Sequence, residues 1–332
     1  MLISQESKHS LIVGEEKFSA PILKIIFLAF LGIIFSVSFG YFLKSLIIAQ
    51  DFNSVLILIS SLILFWSVFV LQVFFIKSAW TSYLIIFLEC LGLIGIFYKD
   101  ILNSGIQTGI GITFLILILA NQRGRRELED FVKIRFWRIN KTILPKAIAA
   151  IFLFSSVIYV YGFPTEGGFF ISKQAFEKIL LPNKVLIDKF LPGFDFSSTL
   201  NEFAKKSVEK EISESAQFKN LPAFAKNQLI AQSAKEFENK ISEMAGVKID
   251  SKLKISDAIY EALKNKLINL PENIKPYIPV SAVIFIFLVL EGFAIPIRWI
   301  VSTFSFIMYE IFLALGFAKI ELEGGSREII TL

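Results

Sequence analysis

The chain has 332 residues, 34 Lys plus Arg against 29 Asp plus Glu for a formal charge of +5, and 55% hydrophobic residues before glycine is counted. Adding its 18 Gly takes the apolar share to about 60%, above the roughly 45–50% of soluble domains. A mean hydropathy of +0.65 agrees, which excludes a soluble globular enzyme.

Residues 1–21 read as a cytoplasmic amino-terminal segment. A membrane span needs about 20 mostly apolar residues to cross about 30 Å of hydrocarbon. Five windows meet that length before residue 165, at 22–43, 54–76, 82–98, 104–120 and 147–163, so 22–163 reads as a five-span membrane region. The first window is too long for a signal-peptide core and no A-x-A-like site follows it, so it reads as an uncleaved span. The fourth carries Gly105, Gly109 and Thr113 at four-residue spacing, a small-residue face that lets another helix approach closely.

The loop 121–146 holds eight basic residues against Glu127, Glu129 and Asp130, and its net +5 equals the charge of the whole chain. From Arg126 to Ile139, apolar residues alternate with charges in an amphipathic pattern, which predicts an interfacial helix on anionic lipid headgroups. The headgroup contacts expected are Arg123, Arg125, Arg126, Lys133, Arg135, Arg138 and Trp137, each cation contributing about 1 kcal/mol. No nucleic-acid-binding motif accompanies them, so a nucleic-acid partner is not expected.

Composition shifts after Phe163. Residues 164–275 contain 17 Lys, no Arg and 15 Asp plus Glu, and read as a helical extracytoplasmic domain. Thr199 and Glu202 have capping-box spacing ahead of a helix to about Ser215. A longer helix spans 222–245, with Gly246 as its expected left-handed cap. A third runs from a Ser256 cap to Leu270, with Ile255 and Tyr260 as a hydrophobic staple, and Pro271 ends it. Apolar and lysine residues mixed over 169–191 suggest short helices on the membrane surface. Residues 276–317 hold two further windows, 278–297 and 299–316, and read as a two-span hairpin. In the tail, 318–332, alternation around Gly324–Gly325 resembles a small β-hairpin, marginal alone and expected either to pack on the outer domain or to fray. The fold class is therefore all-α: a polytopic helical membrane protein of about seven spans, with a helical extra-membrane domain inserted between spans five and six.

Orientation follows Lys and Arg in short segments. With loop 121–146 cytoplasmic, thirteen such residues lie inside and four, Lys44, Lys99, Lys319 and Arg327, outside. Trp80, Trp137 and Trp299 then fall at the inner boundary, and Tyr41, Tyr98, Tyr159, Tyr161 and Tyr277 at the outer one.

Chemistry-bearing residues are few. One cysteine (Cys90) and one histidine (His9) exclude an intramolecular disulfide and a Cys/His zinc site. HExxH, GxSxG, the Walker A pattern and GxGxxG are all absent from the sequence. No metal, cofactor or catalytic residue is expected. Three glutamates stand within predicted spans, Glu89, Glu291 and Glu310, where a carboxylate costs a few kcal/mol and marks a bundle interior or a water-filled path. At about 1.5 Å per residue their depths fall roughly 9–17 Å from the inner boundary, close enough to face one another. Arg298, seven residues after Glu291, is its expected ion-pair partner, with Pro296 between them as a kink. Burial and mutual repulsion are expected to favour their protonated forms. The leading expectation is a non-enzymatic cell-membrane component that presents residues 164–275 to a protein partner. The alternative is a proton- or cation-linked transporter or channel subunit built on these glutamates.

Overall fold

The computed structural model describes residues 20–49, 53–98, 102–162, 173, 176, 198–199, 201–203, 205–206, 222–245, 252–323 and 327–332, and these are predominantly helical. The expected helix from Glu202 beyond residue 206, the Gly246 cap and, apart from Lys173 and Phe176, the surface helices over 169–191 lie outside them. The chain divides into two compact units, Met1–Ser155 with Phe287–Leu332, and Ser156–Ile286.

The first unit is a helix bundle. Its helices are α1 (Ala20–Ala49), α2 (Asn53–Phe75), α3 (Ala79–Gly95), α4 (Ser104–Asp130), most of α5 (Phe136–Tyr161) and, after the second unit, α9 (Ala294–Ala314). Among the described residues, five helices are long and apolar enough to cross a membrane: α1, α2, α4, α5 and α9. Helix α3 has 17 residues, about 25 Å at the helical rise.

Helix α2 is the centre. Its residues from Phe65 to Phe75 are buried on every side, and a helix that is apolar all round sits inside a bundle. Helices α1, α4 and α9 pack along it. The Trp66 indole N–H donates to the Ala147 carbonyl of α5 at 3.1 Å, giving a buried donor its acceptor. The small-residue face of α4 is used as its spacing predicts: Gly109 and Thr113 are buried, and the Thr113 hydroxyl, which donates to the Gly109 carbonyl at 2.8 Å, comes within 3.4 Å of the Ala150 carbonyl of α5. About three helix turns past this face, a Cβ on Gly124 would meet Ile143 of α5 and Val73 of α2 at 2.5 and 2.7 Å. Helix ends are capped locally. Ser78 accepts from the Thr81 N–H, Asn103 from the Gly105 N–H, and the Lys44 ammonium from α1 reaches the Ile96 carbonyl at 2.9 Å, past the end of α3.

Phe293 alone separates α8 (Tyr277–Gly292) from α9, and its backbone stays near helical at φ −90°, ψ −3°. Pro296 explains the break. It has no N–H to offer the Gly292 carbonyl, four residues back, and its ring crowds that group. The break therefore sits three residues before the proline, in place of a kink between Glu291 and Arg298 centred on it, and Pro296 occupies the first turn of α9, where proline is tolerated. An antiparallel helix pair needs a loop of about 2–5 residues, and no such loop is present here.

Helix α9 runs in the same direction as α2. Tyr309 stacks on Phe75, the last residue of α2, at 5.9 Å and 12°, and also lies 5.2 Å from Phe136 at the start of α5. Past the end of α9, Phe317 rests against Phe27 near the start of α1 at 5.9 Å. A two-stranded antiparallel hairpin follows, β1 (Lys319–Glu323) and β2 (Arg327–Thr331), with Glu321 opposite Ile329. Within the first unit it is held by two bonds. The Glu328 N–H donates to the Val132 carbonyl at 2.8 Å, and the Glu328 carboxylate accepts from the Ile134 N–H at 2.9 Å. The tail is thus fastened to the turn between α4 and α5.

In the second unit, α6 (Ala223–Ala245) and α7 (Ile255–Ile268) match the longer predicted helices. Thr199 and Glu202 form the reciprocal capping box, at 3.1 and 3.2 Å. Ser256 is not a cap. Helix α7 begins at Ile255 with Lys254 at the N-cap position and no side-chain cap bond, while Ser256 is buried in its first turn. The start is secured instead by a bridge from Lys254 to Thr199, by the Ile255 N–H on the Ser198 carbonyl at 3.0 Å, and by a Lys173–Asp257 ion pair at 2.8 Å.

Candidate functional site

The polar centre of the bundle is assembled where α1, α2 and α3 meet. Gly32, Ser36 and Gly40 recur at four-residue spacing and so form one strip along α1. Against it α3 sets Glu89, Gly92 and Leu93. A Cβ on Gly40 would stand 2.9 Å from the Leu93 carbonyl, one on Gly92 would stand 2.5 Å from the Ser36 hydroxyl, and one on Gly32 would overlap the Glu89 carboxyl. Gly32 therefore makes the space that Glu89 occupies. It also uncovers the α1 backbone one turn earlier, so that Gln72 of α2 reaches in. The Gln72 amide donates to Glu89 Oε1 at 2.7 Å and to the Leu28 carbonyl at 3.2 Å.

Glu89 is completely buried, and its second oxygen, Oε2, has no hydrogen-bond partner among the described residues. Among the described residues no Lys or Arg forms an ion pair with it. An uncompensated charge there would be very costly. The arrangement holds one carboxyl group in fixed orientation, with one oxygen engaged and the other open to a proton or to a small donor.

The other sequence-predicted carboxylates do not join it. Glu291 pairs with Arg298 at 2.9 Å, and each side chain is about one-third exposed, 30% and 34%. The interval from Glu291 to Glu310 is nearly continuous helix, about 28 Å of rise, so these two stand near opposite ends of α9. Glu310 itself is exposed, one residue from the Tyr309 stack at the far end of α2. The expected convergence fails because it assumed that residues 278–316 turn back on themselves.

The basic stretch is also built differently from the expected interfacial helix. Helix α4 continues to Asp130 and α5 begins at Phe136, so only 131–135 are non-helical. Arg123, Arg126, Lys133, Arg135 and Arg138 are exposed around the two helix ends. Arg125 is partly buried and donates to the Ser82 hydroxyl of α3 at 3.1 Å. The Arg138 guanidinium lies 4.3 Å from the Phe131 ring, and Trp137, half exposed, lies 5.5 Å from Phe306.

Sequence reasoning passed over Gln72, Gly32 and Glu328. Gln72 carried a legible signal, an amide inside the apolar run from Phe65 to Ile76. Gly32 carried one too, as the first member of a small-residue strip. Glu328 carried none, because its role depends on where the tail lands. Compared with protein-family models, with curated proteins and with solved structures, the chain has no match.

Proposed function

We propose that the chain is a multi-pass cell-membrane protein of six crossings, α1 to α5 and α9, that presents residues 164–275 on the extracytoplasmic side to a protein partner without catalysing a reaction. The observation that carries this reading is the bond between Glu328 and the 132–134 turn. The tail and the basic stretch share one face of the bundle, so an even number of crossings separates them. With α5 leaving that face and α9 returning to it, the polar segment between them emerges on the other. Helix α8, 16 residues long, then belongs to the approach to α9 and is not a seventh span.

The charge distribution sharpens on this count. Lys319 and Arg327 move to the cytoplasmic side and Arg298 leaves it, giving fourteen short-segment cations inside and three outside. The exposed cations at the ends of α4 and α5 meet anionic headgroups of the inner leaflet. The test is labelling by a membrane-impermeant maleimide in intact cells, on a Cys90→Ala background, of single cysteines at Asn239 and Thr331. Labelling at 239 alone is expected; labelling at both would return the count to seven. Photo-crosslinking from Phe224, which is 74% exposed on α6, then looks for the partner, and no specific adduct would remove the presenting role.

A second reading rests on the open oxygen of Glu89: a proton-linked path through the α1–α2–α3 junction. Labelling of Glu89 by an apolar carbodiimide that titrates between about pH 5 and 9 would favour it. Flux unchanged in Glu89→Gln protein would end it.

A further inference from the structure

Where α2 ends, the chain leaves the helix at Phe75 and passes through Lys77 to α3. Helix α4 continues beside it to Asp130, and the tail hairpin lays β2 across the gap. Between them is a cavity of about 380 Å³, within the range of small-molecule sites. Its apolar wall includes Phe74 and Ile330, and four charged residues line it: Lys77, Arg125, Glu129 and Glu328. Among the described residues, none of these four takes part in an ion pair. Glu328 is engaged by the Ile134 N–H and Arg125 by Ser82, while Lys77 and Glu129 are exposed at the rim.

Two cations and two carboxylates facing one apolar-backed space complement a ligand that carries both charges a few ångströms apart. Lys and Arg are receptors for phosphate oxygens, Arg through its planar fork of donors. A carboxylate beside them, Glu129 one turn from Arg125 on α4, selects an ammonium and repels a second anion. On the membrane reading proposed above, Lys77 lies just beyond the apolar part of α2, at the level of the headgroups.

We propose that this cavity binds a phosphodiester bearing a primary amine, with the phosphate on Lys77 and Arg125 and the ammonium on Glu129. Phospholipid headgroups and soluble phosphoethanolamine compounds share this chemistry. The site is distinct from the anionic-lipid contacts of the exposed arginines, because Glu129 disfavours a ligand without the amine.

The test is calorimetric titration of the full chain in non-ionic detergent with dihexanoyl phosphatidylethanolamine, dihexanoyl phosphatidylglycerol and glycerophosphoethanolamine. The ethanolamine lipid is expected to bind saturably and at least tenfold more tightly than the glycerol lipid. Lys77→Gln and Glu129→Gln should each weaken it at least tenfold, and Glu129→Gln should remove the preference over the glycerol lipid. Lys266→Gln, exposed on α7 and outside the cavity, should change nothing. Retained binding of glycerophosphoethanolamine points to a soluble ligand and its loss to the lipid. Equal affinity for the two lipids, unchanged binding in Glu129→Gln, an equal loss in Lys266→Gln, or no binding at all overturns the proposal. Both tested side chains are exposed, and the melting temperature of each variant checks that it folds. Failure of the topology would appear in the maleimide labelling and leave this titration unaffected.

Discussion

Replacing Gln72 by Leu isolates the energetic worth of the polar junction. The substitution keeps bulk similar and removes both amide bonds. The Leu28 carbonyl keeps its own helical partner, so that loss is small. Glu89 is different: with Oε2 already unpartnered, Gln72→Leu leaves the whole buried carboxyl without a partner. An unsatisfied buried group costs about 1–3 kcal/mol, whereas interhelical bonds within membranes average about 0.6 and reach about 1.7 kcal/mol. Complete burial places this one in the upper part of the membrane range, so Gln72→Leu should cost about 1–2 kcal/mol. Glu89→Leu leaves Gln72 its bond to Leu28 and should cost less, about 0.5–1.5 kcal/mol, the penalty of one lost amide bond. Removing both partners is nearly neutral for hydrogen bonding, so the double variant should be more stable than the sum of the singles by about 1.5–3 kcal/mol. Reversible unfolding in mixed micelles by titration with a denaturing detergent measures all four species. Additivity within about 0.3 kcal/mol would show that the two side chains are adjacent without being coupled, and would refute the reasoning.

Close packing at Gly32 predicts that Gly32→Ala destabilises by about 1–3 kcal/mol, as overpacking does, while Gly111→Ala, where nothing lies within 4 Å, is neutral or stabilising by up to about 1 kcal/mol. Thermal denaturation in detergent ranks the two, and equal effects would discount the contact. Glu328→Gln replaces a charge-assisted bond to the Ile134 N–H by a neutral one, weaker by about 1 kcal/mol. Hydrogen exchange of the 131–135 peptide should then be about fivefold faster, since exchange from a locally opened state follows that free energy, and unchanged exchange would detach the tail from the turn. Glu310→Gln should alter stability by less than about 0.5 kcal/mol, as exposed substitutions do. Arg298→Ala should cost about 1 kcal/mol or less, because partial exposure screens the Glu291 pair; a loss of several kcal/mol in either would show burial deeper than the one described.

How much was legible depends on the kind of signal each segment carries. Long apolar runs announce helices regardless of their neighbours, and α1, α2 and α4 begin within two residues of their windows. The capping box at Thr199 and Glu202 is equally local, since both partners lie within one turn. Direction is not local. Hydropathy assigns 278–297 and 299–316 the same weight whether the chain reverses between them or continues, and Phe293, an apolar residue with no turn character, gives no notice of either. Turn chemistry misled at 131–135 for the same reason. Phe131, Val132, Lys133, Ile134 and Arg135 include no Gly, Pro, Asn or Asp, so the break between α4 and α5 passed for the middle of an amphipathic helix. Its cause lies in the fold: Phe136 stacks on Phe74 at 5.0 Å, and Glu328 holds the extended turn open.

The candidate site was half legible for a related reason. Glu89 was conspicuous because a carboxylate in an apolar run is expensive wherever the run goes. Its partners were not, since which α1 residue faces it depends on the register between α1 and α3. That register is set by the small residues themselves: Gly32, Ser36 and Gly40 let the backbones approach, and a shift by one residue would turn a larger side chain onto Glu89 and separate it from Gln72. Glu291 and Glu310 were grouped with Glu89 by depth alone, a comparison that presumes the direction of each helix. Once α9 runs with α2, Glu291 moves towards the face opposite the tail and Glu310 towards the tail. A relay linking all three would have to bridge about 28 Å of helix between the last two. Any proton chemistry in the bundle therefore rests on Glu89 and what reaches its open oxygen. It makes Gln72 the residue whose substitution separates the two readings: a path for protons should lose flux when the carboxyl is no longer oriented, whereas a structural junction should lose only stability.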